Sequence, residues 1–324
     1  MRRNYFWLNP VRALAIGMTY GLTCFTVQAE ITLDGTLGPS GSLPGPDFVI
    51  PAEVGQQLGG NLFHSFGLFN INATESATFT GPDSVQNILG RITGGSSSTI
   101  DGLLRSEIPG ANLFLLNPAG MLFGPNAQLD IPGSFHASTA DFLRLGEEGR
   151  FDAARPQASL LTVAPPSAFG FLGDSPAGIS LQGSNLRVPR GETLSLIGGN
   201  LAIQGSQLAV PGGRINIATA ASSGEVIPDA ESLEVGSFER LGEINISQGS
   251  VIDIGGGGGE GIFIRGETFV LADGSAINSS TASQESGGDI NIITSGSATI
   301  AGIPGGVSTI SSTTFGEGDA GVTV

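Results

Sequence analysis

Gly213-Arg214-Ile215-Asn216-Ile217 recurs as Gly242-Glu243-Ile244-Asn245-Ile246 and again as Gly288-Asp289-Ile290-Asn291-Ile292. Gly261-Ile262-Phe263-Ile264 is a weaker copy, and Gly321-Val322-Thr323-Val324 looks like the start of another. Each full copy flanks one Asn with two Ile. That is a period of two, with Ile on one side of a strand and Asn on the other. A second marker is a Gly-Ser step at Gly183-Ser184, Gly205-Ser206, Gly249-Ser250, Gly274-Ser275 and Gly296-Ser297. Its intervals of 22, 44, 25 and 22 residues read as one, two, one and one turns of a period near 22.

Short strands and Gly turns at that period predict a β-solenoid. Each repeat makes one coil, strands pair in parallel with the coils above and below, and inward Ile, Val and Leu stack into one core. If everything after residue 29 coiled, about a dozen coils would make a rod of roughly 60 Å. An antiparallel sandwich is the alternative, but it needs hairpin turns every 8–12 residues, which are not regular here. The 52 Gly and 40% hydrophobic content suit many short strands joined by tight turns. Helical signals are few. Thr139 to Gly149 could form a turn or two, and Pro165-Pro166 and Pro176 mark a loop-rich junction between an N-terminal part and the repeats.

The charge pattern excludes several functions. All 13 basic residues are Arg, which removes any phosphate-binding GK[ST] loop and any Schiff-base lysine. A formal net charge of −16 argues against a nucleic-acid partner. Residues 1–29 read as a secretory leader. Arg2, Arg3 and Arg12 are its positive region, Ala13 to Val27 its apolar stretch, and Val27-Gln28-Ala29 its cleavage site. The Arg2-Arg3 pair also permits a twin-arginine signal. Cleavage would leave 10 Arg against 29 Asp+Glu and remove Cys24, the single cysteine. The exported chain is therefore not stapled by disulfides.

The segments "NLFHSFGLFNI" (61–71), "TFTGPDSVQNILGRITGG" (78–95), "STIDGLL" (98–104) and "ANLFLLNPAGMLFGPNAQLDIPGSFHASTADF" (111–142) carry a more specific signal. They resemble the haemagglutination-activity domain, the N-terminal secretion domain of filamentous-haemagglutinin-type exoproteins, in its cyanobacterial form. The resemblance covers residues 30–165. It implies two-partner secretion. The leader takes the chain across the inner membrane, and the N-terminal domain engages periplasmic domains of a dedicated outer-membrane β-barrel transporter. The chain is then threaded out unfolded and winds into a right-handed parallel β-helix with an N-terminal cap and extra strands. Residues 166–324 would be β-helix repeats that continue beyond Val324. The family's Asn-Pro-Asn-Gly motif maps onto Asn117, Pro118, Ala119 and Gly120, which the resemblance makes the transporter-recognition residues. Ala119 departs from it, and a second motif, Asn-Pro-Asn-Leu, has no counterpart. By residue chemistry alone these four positions make a turn: Pro118 presets φ, Gly120 tolerates positive φ, and Asn117 can bond its own backbone two residues on. Ala119 cannot, so one side-chain bond of the family turn should be missing.

Other features read as packing or solvation. His64 and His136, the only histidines, make a poor metal set. Phe63, Phe66 and Phe69 read as packing of the cap. Gly255 to Gly259 lack the Lys and helix of a phosphate loop and read as a flexible inter-coil loop. Asp253, Asp273, Asp289 and Asp319 could face calcium, but without a calcium-binding nonapeptide tandem they read as solvation of the rod. No cofactor or metal is expected. Two function classes follow. One is a secreted, non-enzymatic exoprotein of the haemagglutinin or adhesin type, with a host, cell-surface or polysaccharide target. The other is a carbohydrate-active enzyme on a β-helix, a polysaccharide lyase or glycosidase, which needs paired carboxylates on one rod face.

Overall fold

The computed structural model describes residues 30–281, 286–303 and 306–314, with Met1. The leader, the start of a further repeat at Gly321–Val324, and Asp319 lie outside the described residues. The chain is a parallel β-helix of three faces. On the first face eight strands lie side by side in parallel. They are Asn61–Phe69, Asn87–Ile92, Asn112–Leu116, Phe135–Ser138, Thr193–Gly198, Arg214–Thr219, and the first halves of Gly261–Leu271 and Ile290–Ile300. Leu62, Ile88, Leu113, Phe135, Leu194, Ile215, Ile262 and Ile290 stand in register along it, and each is fully buried. This file of inward apolar side chains is the stacked core that the period-two pattern predicts.

The second face begins at Ser98–Ile100 and Met121–Phe123 and continues through Ile179–Gln182, Leu201–Gln204 and Glu243–Ser247 to the second half of Gly261–Leu271. The third face is split in two. Gln128–Asp130 closes one run of four strands, and Asn185–Arg187 opens another of five. At the N-terminal end Ile31–Asp34, Ser40–Ser42 and Gln56–Leu58 cap the helix in antiparallel pairing. The strand Asn61–Phe69 carries a register shift beside Gly67, where an added Cβ would lie 2.9 Å from Thr32 Oγ1. The bulge turns Phe66 and Phe69 to the same side, into the helix core, while Phe63 points outward. All three Phe pack in cores, as their residue types suggest.

The Gly-Ser step marks the corner between the second and third faces. Gly183, Gly205, Gly249 and Gly274 all have positive φ there, between 58° and 75°. The serines after them form a ladder. The backbone N–H of Ser184 donates to Ser206 Oγ (3.0 Å), that of Ser206 to Ser250 Oγ (3.2 Å), and that of Ser250 to Ser275 Oγ (3.1 Å). Ser206 and Ser250 are therefore on adjacent coils. The 44-residue interval is one coil carrying an insertion, not two coils. Gly296-Ser297 falls on the second face instead, and Ser308 continues the corner by accepting from the Gly274 N–H (3.2 Å). Likewise the Gly242–Ile246 copy pairs on the second face, whereas the copies at 213, 261 and 288 share the first. The rod therefore has eight coils among the described residues, not a dozen, and a length of about 35 Å. Replacing Ser250 with Ala should strand the buried Ser206 N–H and cost about 1–3 kcal/mol, read as a fall in the urea midpoint.

The insertions account for the missing coils. Residues 139–178 contribute the antiparallel strands Phe142–Leu145, Gly149–Asp152 and Pro166–Phe171. Residues 220–242 add Gly224–Pro228 and Leu233–Glu234 to the same five-stranded sheet. The stretch expected as a helical turn, 139–149, is thus the start of a hairpin. Its alternation of Leu143 and Leu145 with Phe142 and Arg144 serves a sheet that is covered on one side by the two leucines. This sheet lies on the outer side of the first face. Leu143, Leu145, Phe151, Phe169 and Val226 pack there against Phe63, Leu89, Phe114 and Phe263, forming a second core. Parallel coils with added antiparallel strands settle the architecture against a sandwich. The Gly255–Gly259 loop is tied down: Arg190 donates to the carbonyls of Gly256 (2.7 Å) and Gly257 (3.3 Å).

Candidate functional site

The strand Asn112–Leu116 ends at Asn117 because Pro118 and Gly120 cannot continue it. The segment turns the third coil from its first face to its second. The Gly120 N–H donates to the Asn117 carbonyl (3.0 Å), and Gly120 takes φ +109°. The Ala119 N–H donates to Asn117 Oδ1 (2.9 Å), the bond to its own backbone that an Asn at the turn's first position offers. Asn117 also reaches outside the turn. Its Nδ2 donates to the Ser96 carbonyl (3.0 Å) and to Ser98 Oγ (2.9 Å) on the preceding coil, while its N–H donates to Ser138 O (2.9 Å) on the following one. Asn117 is fully buried, whereas Pro118 and Ala119 are half-buried at the surface. The motif therefore divides into an internal staple, Asn117, and an outer rim, Pro118 and Ala119.

A segment of similar composition, Gly124-Pro125-Asn126-Ala127, is the next corner of the same coil, with Pro125 and Asn126 exposed. The Asn126 N–H donates to Asp101 Oδ1 (2.8 Å). Of these two corners, the one at residues 117–120 opens on a groove. A shallow cavity of about 360 Å³ starts at Ala119 and Gly120 and crosses the outer side of the second face. Its floor is Leu122, Ser180 and Ala202, and its walls include Ser97, Ala177 and Asn200. No charged side chain lines it, in a chain whose 29 carboxylates outnumber its 13 arginines.

Neither histidine joins this site. His64 points into the helix core of the first coil, fully buried, with its ring 5.5 Å from that of Phe79. Neither ring nitrogen has a hydrogen-bond partner among the described residues, and burial pushes its pKa down to about 4. His136 stacks on Phe114 at 4.1 Å, with Nδ1 2.9 Å from Ser195 Oγ, and burial pushes it down to about 3. Among the described residues no group of three or more His, Cys, Asp or Glu is placed to hold a metal.

A polar ladder at the opposite end of the first face has no counterpart in the motifs. Asn87 Nδ2 donates to Asn61 Oδ1 (2.9 Å), Asn112 Nδ2 to Asn87 Oδ1 (3.1 Å), and the Ser134 N–H to Asn112 Oδ1 (2.9 Å). Its signal was an Asn before two apolar residues at 61, 87 and 112, spaced like coils.

The family model described as the TPS secretion domain, that of two-partner secretion, matches residues 29–262. The chain belongs to the TPS secretion-domain family. An 81-residue stretch is 32% identical to the heme/hemopexin-binding protein of Haemophilus influenzae, covering 25% of this chain and 8% of that protein. The crystal structure of the HMW1 secretion domain from Haemophilus influenzae is similar at a TM-score of 0.48 and 18% identity. That likeness covers 89% of this chain and 71% of the other. The TPS secretion domain here is a β-helix, and its corner at residues 117–120 is part staple and part surface.

Proposed function

We propose that the corner Asn117-Pro118-Ala119-Gly120 and the groove beside it dock the periplasmic domains of a cognate outer-membrane two-partner-secretion β-barrel transporter. The observation that carries this is the groove itself. It is uncharged, it begins at the position of the family signature, and Pro118 and Ala119 stand at its rim. Asn117 acts from inside by holding the rim in place, and Gly120 supplies the backbone conformation. Residues 1–29 act as the leader that is removed in the periplasm. Residues 30–165 carry the corner, the groove extends from it onto Ala177, Ser180 and Ala202 of the following coils, and residues 166–324 continue the rod. The exported rod serves as a surface adhesin or haemagglutinin toward a host, cell-surface or polysaccharide target. On this reading the role of the rod is non-enzymatic.

Arg substitutions at Ala119 and Ala202 test the docking site. Both place a charge in the groove without entering the core, so the purified proteins should keep their urea midpoints. Co-expressed with the transporter, each should reduce the secreted amount on the order of tenfold. Secretion unchanged in both variants would exclude the groove as the docking site.

A further inference from the structure

The first two coils contain buried polar groups that they cannot satisfy themselves. Arg91, on the outer side of the second coil, is 1% exposed. Its Nε donates to Ser65 Oγ on the first coil (2.7 Å) and its Nη2 to Thr36 Oγ1 in the cap (2.9 Å). The acceptors of Nη1 lie elsewhere: the Asp152 carbonyl (2.7 Å) and Ser159 Oγ (2.7 Å), on the inserted hairpin and the loop after it. The same segment covers two more groups of the first coil. Phe63 meets Phe151 edge-on at 5.1 Å, and Asn61 Nδ2 donates to the carbonyls of Thr162 (3.1 Å) and Ala164 (2.7 Å). On the cap side, Asp34 Oδ2 accepts from Ser65 Oγ and Thr93 Oγ1, both at 2.7 Å. Cap, first coil, second coil and insertion are therefore joined through one buried guanidinium.

We propose that residues 151–164 are a latch, and that the N-terminal end of the rod closes only when this segment docks. A solenoid ordinarily grows by adding each coil to its neighbour, so its first coils can form first. Here that order is blocked. Before the latch arrives, Arg91 Nη1 and the Asn61 amide would have only water as partner and Phe63 would face water, so the first coils would lack the burial that stabilises them. The missing partners lie 61 to 103 residues along the chain, against 26 for the ladder between the first two coils. On the reading that the chain passes a transporter unfolded, this delay keeps its first coils open until about residue 165 is present. The latch rests on that reading for its use, not for its existence.

Pulsed hydrogen exchange during refolding of the full chain from urea tests the order. Amides of Ile31–Asp34, Asn61–Phe69 and Asn87–Ile92 should gain protection in the same kinetic phase as those of Phe142–Leu145 and Gly149–Asp152. Protection of the three N-terminal strands in an earlier phase would overturn the latch. At equilibrium, Phe151→Ala in the full chain should speed exchange over 31–34 and 61–69 by about tenfold or more and leave 193–219 unchanged. Faster exchange confined to the hairpin would overturn it as well. Neither measurement involves the transporter, so a failure of groove variants to affect secretion leaves the latch standing.

Discussion

Asn117→Ala should lower the unfolding free energy by about 2–4 kcal/mol at pH 7, measured by urea denaturation. The side chain is fully buried and makes three hydrogen bonds, two donated and one accepted. Alanine removes all three and provides no substitute. The Ala119 N–H loses the acceptor that shapes the turn, and Ser98 Oγ and the Ser96 carbonyl lose a donor. Each such group costs about 1–3 kcal/mol when desolvated, less where water can enter, so the sum stays within a few kcal/mol. Ala119→Asn should change stability by no more than about 0.5 kcal/mol, because Ala119 is at the rim. The pair separates the two halves of the motif. A loss of secretion in Asn117→Ala that scales with its loss of stability marks a folding role. A loss in Ala119→Arg at unchanged stability marks recognition. Full stability in Asn117→Ala would refute the staple.

Much of this was legible in the residues. The turn at 117–120 follows from Pro118 and Gly120, and the bond from Asn117 Oδ1 to the Ala119 N–H is the one its position offers. The parallel coils follow from the Ile-Asn-Ile repeat. Two things were not legible. An inserted ribbon such as Gly224–Glu234 is built of short strands and turns, as a coil is, so spacing alone could not show that Ser206 and Ser250 are neighbours. The Ile-Asn-Ile pattern records only which side of a strand faces inward, so it could not assign Gly242–Ile246 to the second face. Arg91 was hidden for a different reason. A lone Arg in an apolar strand reads as solvent-facing, and its burial depends on Thr36, Asp152 and Ser159, which no local pattern connects to it. The outer rim of the corner was visible as a motif, while the groove beside it arises from Ala177, Ser180 and Ala202 on later coils.

Acid should weaken the fold as pH falls below 6.5, through the two buried histidines, His136 and His64, of which His64 lies in the core of the first coil. Its ring sits in the first coil's core near Phe66 and Phe79, with neither nitrogen hydrogen-bonded among the described residues. Burial pushes the folded pKa down to about 4 from an ordinary 6.5. Above pH 6.5 both folded and unfolded chains hold a neutral ring, and there is no cost. As pH falls from 6.5 to 4 the unfolded chain takes up a proton that the folded chain refuses, and stability falls throughout that window. Below 4 the folded ring also protonates and the loss levels off, at about 3 kcal/mol for this group. His64→Leu keeps the core apolar and removes the titration. The stability gap between variant and wild type should therefore move by about 3 kcal/mol in the variant's favour between pH 7.5 and 4, read from urea curves. His136 is also depressed by burial, so the variant keeps part of the slope. Burial by itself would raise the Asp34 pKa, but hydrogen bonds from Ser65, Thr36 and Thr93 outweigh it and hold the pKa below 3.8. Its contribution is lost only under more acid conditions than the His64 window. A gap independent of pH would mean that His64 is not held neutral in the core, and the packing of the first coil beneath its cap would need another explanation.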